Sequence, residues 1–175
     1  MQTYLELKVP IKTDSKWLID LKQSLSGVPV RWQNGFYHIT VAFVKETTAI
    51  QDVVSVIDRH INEWTEPGLV FDKVDTFTAN VAGFHIVNLT SSKIPESFSK
   101  WTDELRCNLK GLGCVIDSDF RLHVTLGRVD AKAISLEGLQ ERMENVRIKP
   151  MSLALHSFEY RKFRGETINK WNQHS

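Results

Sequence analysis

The sequence predicts an α/β (α+β) protein with two pseudo-symmetric lobes around a central cleft, each lobe a small, mainly antiparallel sheet with two helices. Segments with strand and helix periodicity alternate as strand, helix, strand, helix, strand, and this order then recurs. The two halves align when His38 is placed on His123, a shift of 85 residues, and no linker rich in Gly, Ser or Pro separates them. We therefore expect one bilobal domain over residues 1–175, with repeat halves of about 1–80 and 81–175.

The first half contains three predicted strands and two predicted helices. Alternating or β-branched apolar residues predict strands over 4–9, 36–44 and 69–78. Apolar residues at spacings of three and four predict helices over 15–25 and 50–64, and Gly and Pro follow each of them.

The second half repeats this order with one additional short strand. The strand that contains His123 is the counterpart of the strand that contains His38, so we expect the two at equivalent places in the lobes. The predicted strands cover 84–89, 114–116, 121–129 and 151–163, and the predicted helices cover 95–109 and 136–146.

The charge balance restricts the class of partner. Lys and Arg number 22 and Asp and Glu number 21, which gives a formal net charge of +1. A broad basic face for duplex DNA is therefore not expected, whereas a small phosphorylated ligand or a short oligonucleotide remains compatible. The beginning of the chain does not resemble a signal peptide, and no apolar run is long enough to span a bilayer. We expect a cytoplasmic protein, a monomer, with no membrane partner.

Each half carries one His-x-Thr motif on a predicted strand, His38 with Thr40 and His123 with Thr125. Side chains two residues apart on a strand point to the same face, so each strand presents an imidazole beside a hydroxyl. Such a short motif also occurs by chance, with threonine chosen for its strand propensity. Two copies at equivalent places in an internal repeat favour a functional site over that alternative.

Two imidazoles and two hydroxyls around one point suit phosphoryl transfer without a metal. One group must take a proton from the attacking oxygen, and another must give a proton to the leaving oxygen. Histidine suits both tasks because its ordinary pKa of about 6.5 leaves both forms populated near neutrality. The hydroxyls can donate hydrogen bonds to the non-bridging oxygens. We expect no cofactor and no metal.

The segments His-Ile-Thr-Val and His-Val-Thr-Leu resemble the paired motifs of the 2H phosphoesterase superfamily. The nearest resemblance is to its LigT-like group of 2′-5′ RNA ligases and RNA 2′,3′-cyclic phosphodiesterases, where His-Val-Thr-Leu-Ala-Arg is frequent. The resemblance covers nearly the whole chain and implies cleavage of a 2′,3′-cyclic phosphate or a 2′,5′-linked ribonucleotide. It also implies His38 and His123 as acid and base, and Thr40 and Thr125 as phosphate ligands. The sequence does not show which histidine is the acid and which is the base. It also does not show whether the reaction is hydrolysis or ligation.

Six further residues are candidates for substrate binding. Arg121 shares the face of His123, whereas Arg128 reaches that face only if the strand contains a bulge near Gly127. For both, a solvated surface position stays open. The aromatic candidates could stack a base or approach the cleft, with core packing as the alternative; they are Trp32, Phe36, Tyr37 and Tyr160.

A non-catalytic module that binds a nucleotide or RNA in the same cleft is the alternative function. Binding alone would not require both histidines, so the intact pair of motifs favours an enzyme.

Overall fold

The computed structural model describes residues 1–47, 49–79 and 83–173, and it confirms the mixed α/β fold with a mainly antiparallel sheet. The boundary expected between the repeat halves, at residues 80 and 81, lies outside these ranges. The helices are α1 (Lys16–Ser24), α2 (Ile50–Asn62), α3 (Glu96–Gly111) and α4 (Leu136–Met143). The strands are β1 (Thr3–Lys8), β2 (Arg31–Trp32), β3 (His38–Glu46), β4 (Val70–Phe71), β5 (Lys73–Ala79), β6 (Phe84–Thr90), β7 (Val115–Ile116), β8 (Val124–Asp130), β9 (Met151–Ser152), β10 (Ser157–Lys162) and β11 (Thr167–Asn172).

The long strands form one sheet in the order β11-β10-β1-β3-β8-β6-β5, and every pair along it is antiparallel. The strands β1 and β3 of the first half are extended by β10 from the end of the chain. The strands β6 and β8 of the second half are extended by β5 from the first half. The two expected sheets are thus joined. The first half contributes β5 to the side built by β6 and β8, and the second half contributes β10 and β11 to the side built by β1 and β3.

The two sides of the sheet meet along β3 and β8, which are paired at Ile39 and Val124. Short strands strengthen this joint reciprocally, because β2 of the first half pairs with β8 and β7 of the second half pairs with β3. The strands that carry the two His-x-Thr motifs are therefore neighbours at the centre of the sheet.

One face of the sheet packs against the helices. Ile39 and Val124 are 0 % exposed and belong to the same core as Leu21 of α1, Ile57 of α2 and Leu105 of α3. The burial of alternate residues on β3 and β8 leaves the intervening side chains on the opposite face, as the period of two predicts. This opposite face carries both motifs, and we call it the histidine face.

A β-bulge interrupts β3 and β8 at equivalent places. The pairing of β1 with β3 passes over Val41, and the pairing of β6 with β8 passes over Leu126. These residues are also 85 positions apart. Because one extra residue reverses the alternation of side chains, Arg128 returns to the histidine face. The bulge required for the placement of Arg128 is therefore present.

The end of the chain differs from the sequence prediction. A single strand was expected over 151–163, but the chain forms β9, an irregular segment and then β10, which turns back into β11. Arg164, with a φ of 55°, and Gly165 lie in this turn. The prediction of one strand through residue 163 therefore missed this hairpin. No helix among the described residues is long and apolar enough to cross a membrane.

Candidate active site

The two His-x-Thr motifs lie side by side on the histidine face. Antiparallel pairing through Ile39 and Val124 sets each histidine beside the threonine of the other strand. The rings are near enough for the charge of His38 to contribute to the lowered pKa of His123. All four side chains are half-buried, so they remain accessible.

Both imidazoles are oriented by the backbone in the same way. His38 Nδ1 lies 3.2 Å from the carbonyl oxygen of Phe36, and His123 Nδ1 lies 2.9 Å from the carbonyl oxygen of Arg121. A ring that donates through Nδ1 leaves Nε2 to exchange protons with a ligand. The repeated contact therefore leaves Nε2 of each ring for a ligand.

A carboxylate distinguishes the surroundings of His38. Glu6 on β1 is 2 % exposed, and its Oε2 lies 2.9 Å from His38 Nδ1. Lys8 Nζ lies 3.0 Å from the other oxygen of Glu6. Burial opposes ionisation of Glu6, but hydrogen bonds and charges from His38 and Lys8 outweigh it and lower its pKa. The ring of Tyr4 lies 6.1 Å from that of His38.

His123 has an aromatic and cationic environment. Phe77 on β5 meets its ring edge to face at 5.1 Å, and Arg121 lies over the ring of Phe77 at 4.0 Å. Burial lowers the pKa of His123, and the positive charges of Arg121, His38 and Arg128 lower it further, against the hydrogen bond to the Arg121 carbonyl. The neutral imidazole is therefore favoured at His123.

The side of the histidine face near His123 is rich in guanidinium groups. Arg31 on β2 lies opposite Arg128 on β8, and its guanidinium stacks over Phe84 at 4.8 Å. Burial lowers the pKa of Arg128, and the charge of Arg31 adds to this effect. Within the described ranges, neither these two arginines nor Arg121 forms an ion pair with a carboxylate. Like charges placed opposite each other repel, so an anion between them would stabilise the pair.

The predicted aromatic residues have different outcomes. Phe36 is 78 % exposed, with a φ of 54°, and it borders a pocket of about 370 Å³ together with Lys8 and His156. Trp32 is half-buried against the core, where Lys22 lies over its ring at 5.5 Å.

Two of the aromatic predictions require correction. Tyr160 is 0 % exposed and shares a 2.7 Å hydrogen bond with Thr3. Tyr37 is buried, and its hydroxyl donates to the carbonyl of Gln33 at 3.2 Å. Both side chains fill the core, and we do not retain them as substrate contacts.

Sequence reasoning did not select Glu6, Phe77 and Arg31. The alternation of β1 places Tyr4, Glu6 and Lys8 on one face, which is a readable signal for a polar stripe. It does not show that this stripe adjoins His38, because strand pairing is needed for that. In the described part of the chain, no group of three or more His, Cys, Asp or Glu residues is placed to hold a metal ion.

Comparison with known proteins gives fold neighbours. No model of a known protein family matches the chain, and no curated protein matches it. Among solved structures, Escherichia coli LigT complexed with 3′-AMP is 18 % identical with a TM-score of 0.61, and the match covers 99 % of this chain and 98 % of LigT. The protein has the LigT fold. The resemblance seen in the two motifs is thereby confirmed at the level of the fold.

Two other neighbours agree with this assignment. Usb1 of Kluyveromyces marxianus is 11 % identical with a TM-score of 0.61 and 98 % of each chain covered. A protein described as a phosphoesterase is 16 % identical with a TM-score of 0.59 and 99 % of each chain covered. All three neighbours are 2H phosphoesterases. Each match extends over nearly the whole of both chains, so the fold is shared over its full length.

Proposed function

We propose that this protein is a metal-independent phosphodiesterase that cleaves 2′,3′-cyclic phosphates or 2′,5′-linked ribonucleotides, including those at RNA ends, by paired-histidine acid–base catalysis. The observation that carries this proposal is the pairing of the two His-x-Thr strands, with both Nδ1 atoms turned to backbone carbonyls. The Nε2 atoms of His38 and His123 are then available to one substrate from the neighbouring strands β3 and β8. This is the arrangement that an in-line displacement at phosphorus needs.

The threonines and arginines support the phosphate part of this proposal. No described residue bonds to the hydroxyl of Thr40 or Thr125, so both can donate to non-bridging oxygens. Arg121 and Arg128 can receive negative charge at the His123 side, and Arg31 adds a third guanidinium for a further phosphate of an oligonucleotide.

The nucleoside part of the substrate has a candidate contact at the other side. The exposed ring of Phe36 stands beside the segment that positions His38, where a base can stack on it. The 3′-AMP in the LigT structure shows that a nucleotide binds a protein of this fold. It supports a ribonucleotide as the ligand of the present chain.

The test is an assay with a 2′,3′-cyclic nucleotide and a 2′,5′-linked dinucleotide in excess chelator. The unmodified protein should turn over at least one of them, with a bell-shaped pH–rate curve. His38→Ala and His123→Ala should each lower kcat by about 10²-fold or more. His60→Ala is the matched control, because His60 lies on α2, where its Nε2 contacts Asn108, and carries no threonine two residues later. Unchanged turnover in either motif variant contradicts the proposal.

A non-catalytic nucleotide- or RNA-binding module is the second candidate. It is favoured by the guanidiniums of Arg31, Arg121 and Arg128, which have no carboxylate partner among the described residues and suit an anion whether or not it reacts. The test is titration of the same compounds by calorimetry. If the protein binds them and cleaves none of them, the binding module replaces the enzyme as the proposed function.

A further inference from the structure

The two halves of the site differ where the repeat predicts equivalence. Glu6 lies opposite Thr40 in the pairing of β1 with β3, and Asn88 lies opposite Thr125 in the pairing of β6 with β8. Glu6 and Asn88 therefore occupy the same place in the two halves. The carboxylate of Glu6 contacts His38, whereas the amide of Asn88 donates to the carbonyl of Asp75 at 3.1 Å.

Glu6 is held in place from several sides. Lys8 Nζ bridges Glu6 and Glu159 at 3.0 Å from each, and Arg161 lies 3.6 Å from both carboxylates. The hydroxyl of Thr167 also donates to Glu159. Because these partners fix the cluster, the Oε2 of Glu6 presents a negative charge to His38 in one orientation.

In the part of the chain that the structure describes, no equivalent carboxylate contacts His123. Its Nδ1 is bonded to a backbone carbonyl, its ring contacts Phe77, and the charges that act on it are those of Arg121, Arg128 and His38. A carboxylate therefore contacts one imidazole, whereas cations and an aromatic ring surround the other. A reaction that needs one proton donor and one proton acceptor requires this difference.

We propose that Glu6 is a positioning residue that holds the His38 imidazolium, so that in hydrolysis His38 gives the proton to the leaving oxygen and His123 takes the proton from the attacking water. This inference rests on the proposed function. It assigns the two roles from the contacts of Nδ1, in the way that a buried carboxylate orients a catalytic imidazole.

The proton balance of the step is complete. The water oxygen forms a bond to phosphorus as its proton passes to Nε2 of neutral His123. The bond from phosphorus to the leaving oxygen breaks as that oxygen receives the proton from Nε2 of His38. The enzyme is left with neutral His38 and charged His123, and exchange of one proton with solvent restores the starting state.

The groups that influence the titration of this pair come from several elements. Around Glu6 and His38 they are Tyr4, Lys8, Glu159 and Arg161, and around His123 they are Arg121, Arg128 and His38. Only Glu6 is a carboxylate in contact with an imidazole of the pair, among the described residues. Its neutralisation should therefore act chiefly on His38.

The deciding experiment is the pH–rate profile of Glu6→Gln, which removes the charge and retains the shape. In this mechanism the alkaline limb reports the acid and the acid limb reports the base. We expect the alkaline limb of kcat to move to lower pH by about one unit, with the acid limb in place. Movement of the acid limb instead would assign His38 as the base and overturn the inference.

Two further variants separate positioning from folding. Glu159→Gln removes a carboxylate of the same cluster that has no bond to His38, so its alkaline limb should move less than that of Glu6→Gln. Glu6→Asp keeps the charge on a shorter side chain, so its alkaline limb should lie between those of Glu6→Gln and the unmodified protein. If Glu6→Gln does not fold, Glu6→Asp takes its place, and an unmoved alkaline limb in this variant counts against the inference.

A measurement without substrate distinguishes this inference from the proposed function. Imidazole NMR titration of the unmodified protein and Glu6→Gln reports the midpoint of His38 directly. A lower midpoint in the variant, together with no turnover in the unmodified protein, keeps Glu6 as a positioning residue and removes the enzymatic function. Turnover with an unchanged midpoint removes the role of Glu6 alone.

Discussion

At the scale of single residues, the candidate site depends on which groups remain unbonded. His123 Nδ1 contacts a carbonyl of its own segment, and His38 Nδ1 contacts such a carbonyl and also Glu6. The hydroxyls of Thr40 and Thr125 have no partner in the described ranges. Both hydroxyls are half-buried, so they can donate to a ligand that lies beside the two imidazoles.

Replacement of either threonine by valine tests this reading. Thr40→Val and Thr125→Val keep the branched shape and remove the donor, so kcat/KM on the cyclic substrate should fall by about 10²-fold. Thr40→Ser and Thr125→Ser keep a hydroxyl and should retain most of the activity. Equal losses in the valine and serine variants would show that shape matters and the hydrogen bond does not.

Single residues also show how far the sequence informs on the site. The spacing of the two motifs predicts that His38, Thr40 and their counterparts share one face, because a strand has a period of two. Glu6 and Phe77 were not predicted, because each belongs to a strand whose neighbour is set by the order β10-β1-β3 and β8-β6-β5. The burial of Tyr160 was not predicted either, because it depends on a hydrogen bond between its hydroxyl and Thr3 on the neighbouring strand.

At the scale of elements, the bulges determine which side chains reach the histidine face. The bulge on β8 places Gly127 under β2, where an added Cβ would meet a methyl of Val30 at 2.6 Å and the carbonyl of Arg31 at 3.3 Å. The sequence shows the need for a bulge, because Arg128 is five residues after His123. It does not show β2, since a strand of two residues has no periodicity to detect.

A substitution at Gly127 tests the importance of this close approach. Gly127→Ala forces β2 away from β8 or distorts the bulge, and overpacking of this kind costs about 1–3 kcal/mol in the free energy of unfolding. Gly111→Ala is the control, because Gly111 lies in α3 with no atom within 4 Å of an added Cβ, and alanine favours a helix. Urea unfolding of both variants gives the comparison. Equal stability of the two would mean that β2 adjusts without cost.

At the scale of the whole molecule, the polar cluster and the shared core join distant parts of the chain. The contact of Glu6 with Arg161 connects the first strand, β1, to β10 near the end of the chain, and the core includes residues from all four helices. The internal repeat predicted two lobes, but no local pattern predicts that β5 and β10 join the opposite sides. The pairing of β5 with β6 and of β10 with β1 depends on which strands together bury an apolar face, and this is a property of the whole fold.

The ionised cluster makes the stability of the molecule sensitive to acid. Bonds to His38 and Lys8 lower the pKa of Glu6 against the opposing effect of burial, and bonds to Thr167 and Lys8 do the same for Glu159. As pH falls below the ordinary value of 4.5, the unfolded chain binds protons that the folded cluster does not bind. The stabilisation of the folded state by ionised Glu6 and Glu159 is therefore complete above pH 4.5 and is lost as pH falls through their lowered pKa values. The lowered pKa of His123 acts in the same direction, beginning near its ordinary value of 6.5.

We expect the free energy of unfolding, measured in urea from pH 7 to pH 3, to decline toward acid, with its steepest part below about 4.5. A double variant, Glu6→Gln with Glu159→Gln, should be less stable at pH 7, because Lys8 and Arg161 lose their partners. Its curve should also be shallower below 4.5, because the groups that bind the protons are gone. Parallel curves for the two proteins over that range would place the acid sensitivity outside this cluster. The same curves in 1 M salt separate the buried bonds from surface charge, since screening weakens exposed pairs far more than buried ones.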